Sequence, residues 1–370
     1  MKLTVVDHVS QLPPQDWQRL NSSLSPFLAL EYFNALEASG CVSSDSGWLP
    51  HHLVFSDDNG VNGILPSYIK SHSWGEFVFD WDWAQAFEQH GCDYYPKLVS
   101  TIPFTPVPSD KLLTNDLSPP DVFGEVIDHC LAQSLNSWHL LFCQPVANNH
   151  VDVFERNTVQ FHWFNRDYHD FEHFLSGFTA RKRKNSRKER LSIIQQGIEI
   201  KRFSGCDITE KELDFFYLCY QQPYLKRGHT PHLNRDFFQQ IFTTLSANIL
   251  LIIASHQQRY VASALFLFDQ ESLYGRYWGC VESFNNLHFE LCYYQGIEFC
   301  IEQKLQSFNP GAQGEHKIQR GFEPVMTYSY HWVKQVEFRP AINDFCQRER
   351  QHMQDYFNQC QQALPFKANA

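Results

Sequence analysis

Ile249-Leu250-Leu251-Ile252-Ile253-Ala254-Ser255, Val261-Ala262-Ser263-Ala264-Leu265-Phe266-Leu267-Phe268 and Ser272-Leu273-Tyr274-Gly275-Arg276-Tyr277-Trp278 read as three strands in hairpin succession. The period then changes. Leu287, Leu291, Tyr294, Ile297, Ile301 and Leu305 recur at spacings of four, three, three, four and four, which predicts an amphipathic helix. Behind it comes Phe308-Asn309-Pro310-Gly311-Ala312-Gln313-Gly314-Glu315-His316-Lys317-Ile318-Gln319-Arg320-Gly321-Phe322. Its glycines permit turns with positive φ and close approach to a ligand, and four charged or titratable side chains crowd beside them. A last strand, Val325 to Trp332, follows. The same pattern suits an ordinary surface turn with solvated charges; its place between a long helix and a strand favours a cleft.

The first half of the chain rhymes with this. Pro13 to Leu20 and Pro26 to Ser39 read as helices, the second with Ser25 as N-cap and Pro26 in the first turn. Leu53 to Ser56 and Gly63 to Lys70 read as a hairpin about Asn59-Gly60. A third strand is expected at Phe77 to Trp81, then a helix at Ala84 to His90 and a proline-punctuated strand at Lys97 to Phe104. Val122 to Gln133 reads as a helix, with strands at Trp138 to Phe142 and Thr158 to Phe164. Each half thus has a hairpin, a third strand ending in tryptophan (Trp81, Trp278) and a helix, the order expected of duplicated domains. The fold class expected is α/β (α+β), two tandem domains with mixed, mainly antiparallel sheets flanked by helices. The expected boundaries are 1–165, 166–340 and a helix and tail at 341–370.

At 370 residues, two domains are the natural expectation. A net charge of −11 argues against a protein that coats nucleic acid or anionic membrane over its whole surface. No apolar run reaches the roughly 18 residues of a membrane span, and Met1 to His8 carries no signal-peptide pattern. Eleven cysteines without a C-x-x-C pair fit reduced thiols in a cytoplasmic protein. Eighteen histidines form no H-x-x-x-H pattern, and no metal is expected; His51-His52 reads as packing or hydrogen bonding. The chain has no G-x-x-x-x-G-K-[ST], no G-x-S-x-G and no G-x-G-x-x-G after a strand, which disfavours phosphate-loop, α/β-hydrolase and Rossmann chemistry.

One segment breaks the acidic balance. Arg181 to Arg190 holds seven Lys or Arg and one Glu; without it the chain has 23 basic against 40 acidic residues, a balance of −17. Phe171 to Gln196 reads as helical, so these cations spread over two adjacent faces and repel one another. A solvated helix is the ordinary account; RNA or another phosphorylated partner at Arg181, Lys184, Arg187 and Lys188 is the sharper one. Near the glycine-rich loop, Glu315 and His316 are candidates to take a proton from an attacking amine. Lys317 and Arg320 are candidates to steady an oxyanion, phosphate or carboxylate. Arg276, Tyr277 and Trp278 would face the same cleft as Gly311 and Gly314 if the sheet splays there. Asp80 and Asp82 are the expected counterparts in the first half.

Gly47-Trp48-Leu49-Pro50-His51-His52, Asp80-Trp81-Asp82-Trp83-Ala84, Tyr94-Tyr95-Pro96-Lys97-Leu98 with Pro103-Phe104-Thr105-Pro106-Val107, and Gly311-Ala312-Gln313-Gly314-Glu315-His316-Lys317 together resemble the FemAB-like family of peptidoglycan biosynthesis or recognition proteins. The resemblance runs from about residue 10 to residue 340. It implies two tandem acyltransferase domains of the GNAT type and transfer of an acyl or aminoacyl group to an amine, with a peptidoglycan precursor as candidate acceptor. The donor would be aminoacyl-tRNA or acyl-CoA acting as co-substrate, with no tightly bound cofactor. Partners implied are a small-molecule or muropeptide amine and tRNA, not DNA. The chain lacks the R/Q-x-x-G-x-G/A loop of acetyl-CoA enzymes and the long coiled-coil arm of many Fem enzymes. The alternative is a non-catalytic recognition module of the same fold that binds cell-wall fragments or RNA.

Overall fold

A computed structural model describes residues 1–148, 150–312 and 314–367, the Cys206 side chain excepted. Gln313, part of the glycine-rich loop, lies outside the described residues. The chain forms two compact units. The first takes Met1–Val159 and Met326–Tyr356, the second Gln160–Val325 and the stretch from Phe357. Where the sequence division was linear, with cuts at 165 and 340, residues 326–356 instead return to the first unit.

The second unit is built as its hydrophobic periods require. Ile198–Ser204, Ile249–His256, Arg259–Phe268 and Ser272–Cys280 form an antiparallel run. The chain then crosses over through a helix at 287–303 to Ser307–Asn309, which runs parallel to the fourth strand. Only Ser272, Leu273 and Tyr274 pair across this parallel junction, with Ser307, Phe308 and Asn309. Beyond them the two strands part. A bulge lies at the same place: Leu265 pairs with Tyr277 but Phe266 with Gly275, so Arg276 is the extra residue. Bulges bend a strand and re-aim its side chains. The expected helix over 171–196 is broken into Phe171–Ser176 and Ala180–Gln195.

The first unit repeats the theme with different parts. Lys2–Val6, His52–Asp57, Gly60–Leu65 and Leu113–Thr114 make one antiparallel sheet. Trp48–Pro50, Ser67–Lys70 and Lys97–Ser100 pair antiparallel, and Ser137–Cys143 joins parallel to the last of them. The expected strand from Gly63 to Lys70 is therefore two strands in two sheets, divided at Pro66, which has no N–H to give a ladder. Leu53, Phe55, Phe123, Trp138, Tyr330 and Trp332 are buried together as its core.

The expected strand at Phe77 to Trp81 does not form. This segment is irregular, Phe77 has φ 62°, and Trp81 opens the helix Trp81–Gln89. Buried Glu76 and Asp80 both accept from the buried Lys97 ammonium, at 2.8 and 2.5 Å, and this pull turns the chain instead of letting it pair. The rhyme between Trp81 and Trp278 consequently fails, one being in a helix and the other in a strand. Among the described residues no helix is long and apolar enough to cross a membrane.

Candidate functional site

Parting of the two strands in the second unit opens a cavity of about 260 Å3. Gly275, Arg276, Tyr277 and Trp278 form one wall, and Pro310, Gly311 and Ala312 form the other. His288, Cys292 and Tyr293 close it from the crossover helix, and His316 and Lys317 from the short 3-10 helix Glu315–Arg320. Six residues singled out in the sequence, Arg276, Tyr277, Trp278, Gly311, His316 and Lys317, thus line one hollow.

Lys317 is fully buried, and its ammonium donates to the Gly311 carbonyl at 2.6 Å. Burial lowers its pKa to about 7, opposed by the Cys292 thiol. His316 shares a 2.7 Å hydrogen bond between Nε2 and the Tyr293 hydroxyl. His316 is exposed at the mouth of the hollow, but its ring is partly desolvated there, and that desolvation, then Arg320 and Lys317, lowers its pKa, so the imidazole is a neutral proton acceptor at pH 7. Burial also lowers the His288 pKa to about 4, with His316 next among the causes. Gly314 has φ 119°, and a Cβ there would meet the His316 ring at 2.5 Å, so only glycine leaves this imidazole its place.

Other expectations divide. Glu315 is exposed on the first turn of the 3-10 helix and does not line the cavity. Arg320, expected at a ligand, is instead held by the fold. It pairs with Glu189 through Nη2–Oε1 at 2.8 Å and Nε–Oε2 at 3.1 Å, donates to the His316 carbonyl at 2.7 Å, and lies 3.4 Å above the Phe289 ring. Asp80 is buried in the first unit under Lys97, Tyr94 and, at 4.0 Å, His139. Burial acts to raise its pKa, but Lys97 and His139 prevail and hold it well below the carboxylate range. Asp82 is exposed on the following helix. Neither aspartate has the setting of Arg276 to Trp278, because the strand expected to carry them is absent.

Of the basic segment, Arg181, Lys184, Arg187 and Lys188 all project to solvent, while Arg190 turns inward onto Glu290 and Glu298. Arg187 pairs with the exposed Glu172.

Sequence reasoning missed Tyr293, His288 and Cys292. The crossover helix contains a π turn at Glu290–Tyr294, which inserts one residue into the α period. The apolar face read from the sequence, Leu287, Leu291, Tyr294, Ile297, Ile301 and Leu305, is buried as expected, but the polar and aromatic residues between them were not assigned to a site; π turns recur at functional sites. No single-sequence signal marks this one.

The FemAB-like family, described as peptidoglycan biosynthesis/recognition, matches residues 8–368. Among solved structures, FemX is similar over 93% of this chain and 100% of its own, with a TM-score of 0.53 at 10% identity. The C-terminal domain of a putative lysylphosphatidylglycerol synthetase from Agrobacterium fabrum is similar over 90% of this chain and 93% of its own (TM-score 0.55, 9% identity). L-PGS from Bacillus licheniformis is similar over 91% and 96% (TM-score 0.52, 11% identity). At such identities the likeness is one of fold. No curated protein matches the chain in sequence.

Proposed function

The chain belongs to the FemAB-like family, and from that premise we propose that it is an acyl- or aminoacyltransferase whose reaction takes place in the cavity between Arg276 and Lys317. The observation that carries this reading is the pairing in one hollow of a neutral imidazole with a buried lysine whose pKa lies near 7. The first accepts a proton, and the second offers a positive hydrogen-bond donor where negative charge develops.

The acceptor amine attacks the carbonyl carbon of the donor ester or thioester. His316 takes the proton the amine nitrogen sheds, Lys317 stabilises the tetrahedral oxyanion, and the proton passes from His316 to the departing alkoxide or thiolate. An amide and a free alcohol or thiol result. Glu315, exposed and outside the cavity, has no part in this scheme. An amine on a peptidoglycan precursor is the acceptor that accords with the family description, and aminoacyl-tRNA or acyl-CoA the donor class.

Purified full-length chain is to be incubated with charged tRNA or acyl-CoA and a lysine-bearing muropeptide. Lys317→Ala and His316→Ala should each lower kcat by about 100-fold or more, and Glu315→Gln should stay within about twofold, the range of a neutral surface change. Equal turnover in all four proteins would remove this site. Ligand binding with no product from any donor would favour a recognition module.

A further inference from the structure

The basic helix Ala180–Gln195 presents a face that catalysis does not use. Lys184, Arg187, Lys188, Leu191 and Ile194 follow at helical spacing on its outer side. Leu191 is 50% exposed and Ile194 73% exposed. Beside them lies a groove of about 430 Å3 walled by Phe171, Leu175, Ile193, Ile198 and Ile200. Arg187 and Arg190 reach the groove, but their charges are met by Glu172 and by Glu290 with Glu298. Lys184 and Lys188 are exposed, and no carboxylate among the described residues forms an ion pair with either. The helix therefore carries uncompensated cations along its first turns and bare aliphatic surface along its last, next to an apolar slot.

We propose that this face docks onto anionic phospholipid at a bilayer surface, with phosphate on Lys184 and Lys188 and an alkyl chain against Leu191, Ile194 and the groove. Three observations select this occupant. The cations stand out from a chain of net charge −11, so the attraction is local to this helix. A polyanion such as RNA would engage the lysines but gain nothing from Leu191 and Ile194. An uncharged apolar ligand would fill the groove but leave the lysines idle. A helix with cations on one part of its exposed face and aliphatic residues on the other suits the boundary between headgroups and acyl chains. The proposal is independent of the acyl-transfer reading, because none of these residues lines the cavity of His316 and Lys317.

The test is sedimentation of the full-length chain with phosphatidylcholine vesicles, with and without phosphatidylglycerol, and a parallel tRNA-retention assay. Vesicles containing phosphatidylglycerol should bind at least about tenfold more protein than neutral ones. Lys184→Glu/Lys188→Glu should cut that binding about tenfold or more, and Leu191→Gln/Ile194→Gln should do the same through lost apolar burial. All four side chains are exposed, so both variants should keep the wild-type circular dichroism. Equal binding to the two kinds of vesicle would overturn the proposal. So would vesicle binding that ignores the Leu191/Ile194 change, or tRNA retention lost in the lysine variant without any vesicle binding by the wild type.

Discussion

Glu189 of the basic helix grips Arg320 of the 3-10 turn Glu315–Arg320 with both carboxylate oxygens, at 2.8 and 3.1 Å. The same carboxylate accepts from the Tyr294 hydroxyl at 2.5 Å, so one side chain ties the basic helix, the crossover helix and the 3-10 turn together. Arg320 in turn donates to the His316 carbonyl. The basic helix thereby sets the backbone on which His316 and Lys317 stand.

Glu189→Gln should cost about 2–3 kcal/mol in urea unfolding, because it leaves the 7% exposed Arg320 without its counter-charge. Arg320→Lys should cost a similar amount, since an ammonium can neither make the forked pair nor lie flat on Phe289. Both variants should also lose turnover, although neither residue lines the cavity. Unchanged unfolding midpoints would show that the turn is held by other contacts.

Lys317 gives a signed pH dependence. Its folded pKa of about 7 lies below the ordinary 10.5 of a lysine. Between these values the unfolded chain binds the proton and the folded chain does not, so stability rises with pH across that window. Compared with Lys317→Met, the wild type should gain up to about 1.4 kcal/mol per pH unit from pH 7 upward, and the difference should be flat below pH 7. The comparison cancels Lys111, whose pKa burial also lowers to about 7. Activity should run the other way, falling above pH 7 as the ammonium is lost. A rate still climbing at pH 9 would contradict the assigned role.

In the first unit, Lys97→Met should cost about 3–5 kcal/mol, as it removes the cation that both Glu76 and Asp80 contact and leaves Glu76 only Lys70, at 4.0 Å. Burial, working against Lys97, already raises the Glu76 pKa to about 7. Double replacement by Lys97→Met with Glu76→Gln should recover part of the loss. No recovery would mean that the two do not act as a pair.

Gly279→Ala should prevent folding of the second unit or cost well over 3 kcal/mol, because a Cβ there would sit 1.8 Å from the Cys219 carbonyl oxygen. Helix Glu210–Leu225 packs its backbone directly on this strand. Circular dichroism and soluble yield would report the effect, and a well-folded variant at wild-type yield would disprove the contact.

The legible parts of this chain were those set by local period. The apolar runs Ile249 to Ala254 and Val261 to Phe268 form the buried central strands expected of them, and the splay beside Arg276 brings Tyr277, Trp278, Gly311 and Lys317 to one place. What stayed hidden depends on contacts distant in sequence. Nothing near Asp80 announces that Lys97 will draw it inward and abolish the strand at Phe77. Arg320 looked available for a ligand because its partner, Glu189, lies 131 residues away. Pro66 was a sign within reach, since a proline inside an expected strand argues for a break there.

The π turn at Glu290–Tyr294 carries a last consequence. With it, His288 and Tyr293, five positions apart, stand with their rings 5.3 Å from each other. Excising Leu291, which does not line the hollow, would close this wide turn to ordinary α winding and leave His288 and Tyr293 four positions apart instead of five. The wall they build would change shape although every side chain that lines it remained in the sequence. Its contour is governed by how many residues the helix counts, so drift in amino-acid identity is a smaller threat to it than a three-nucleotide deletion.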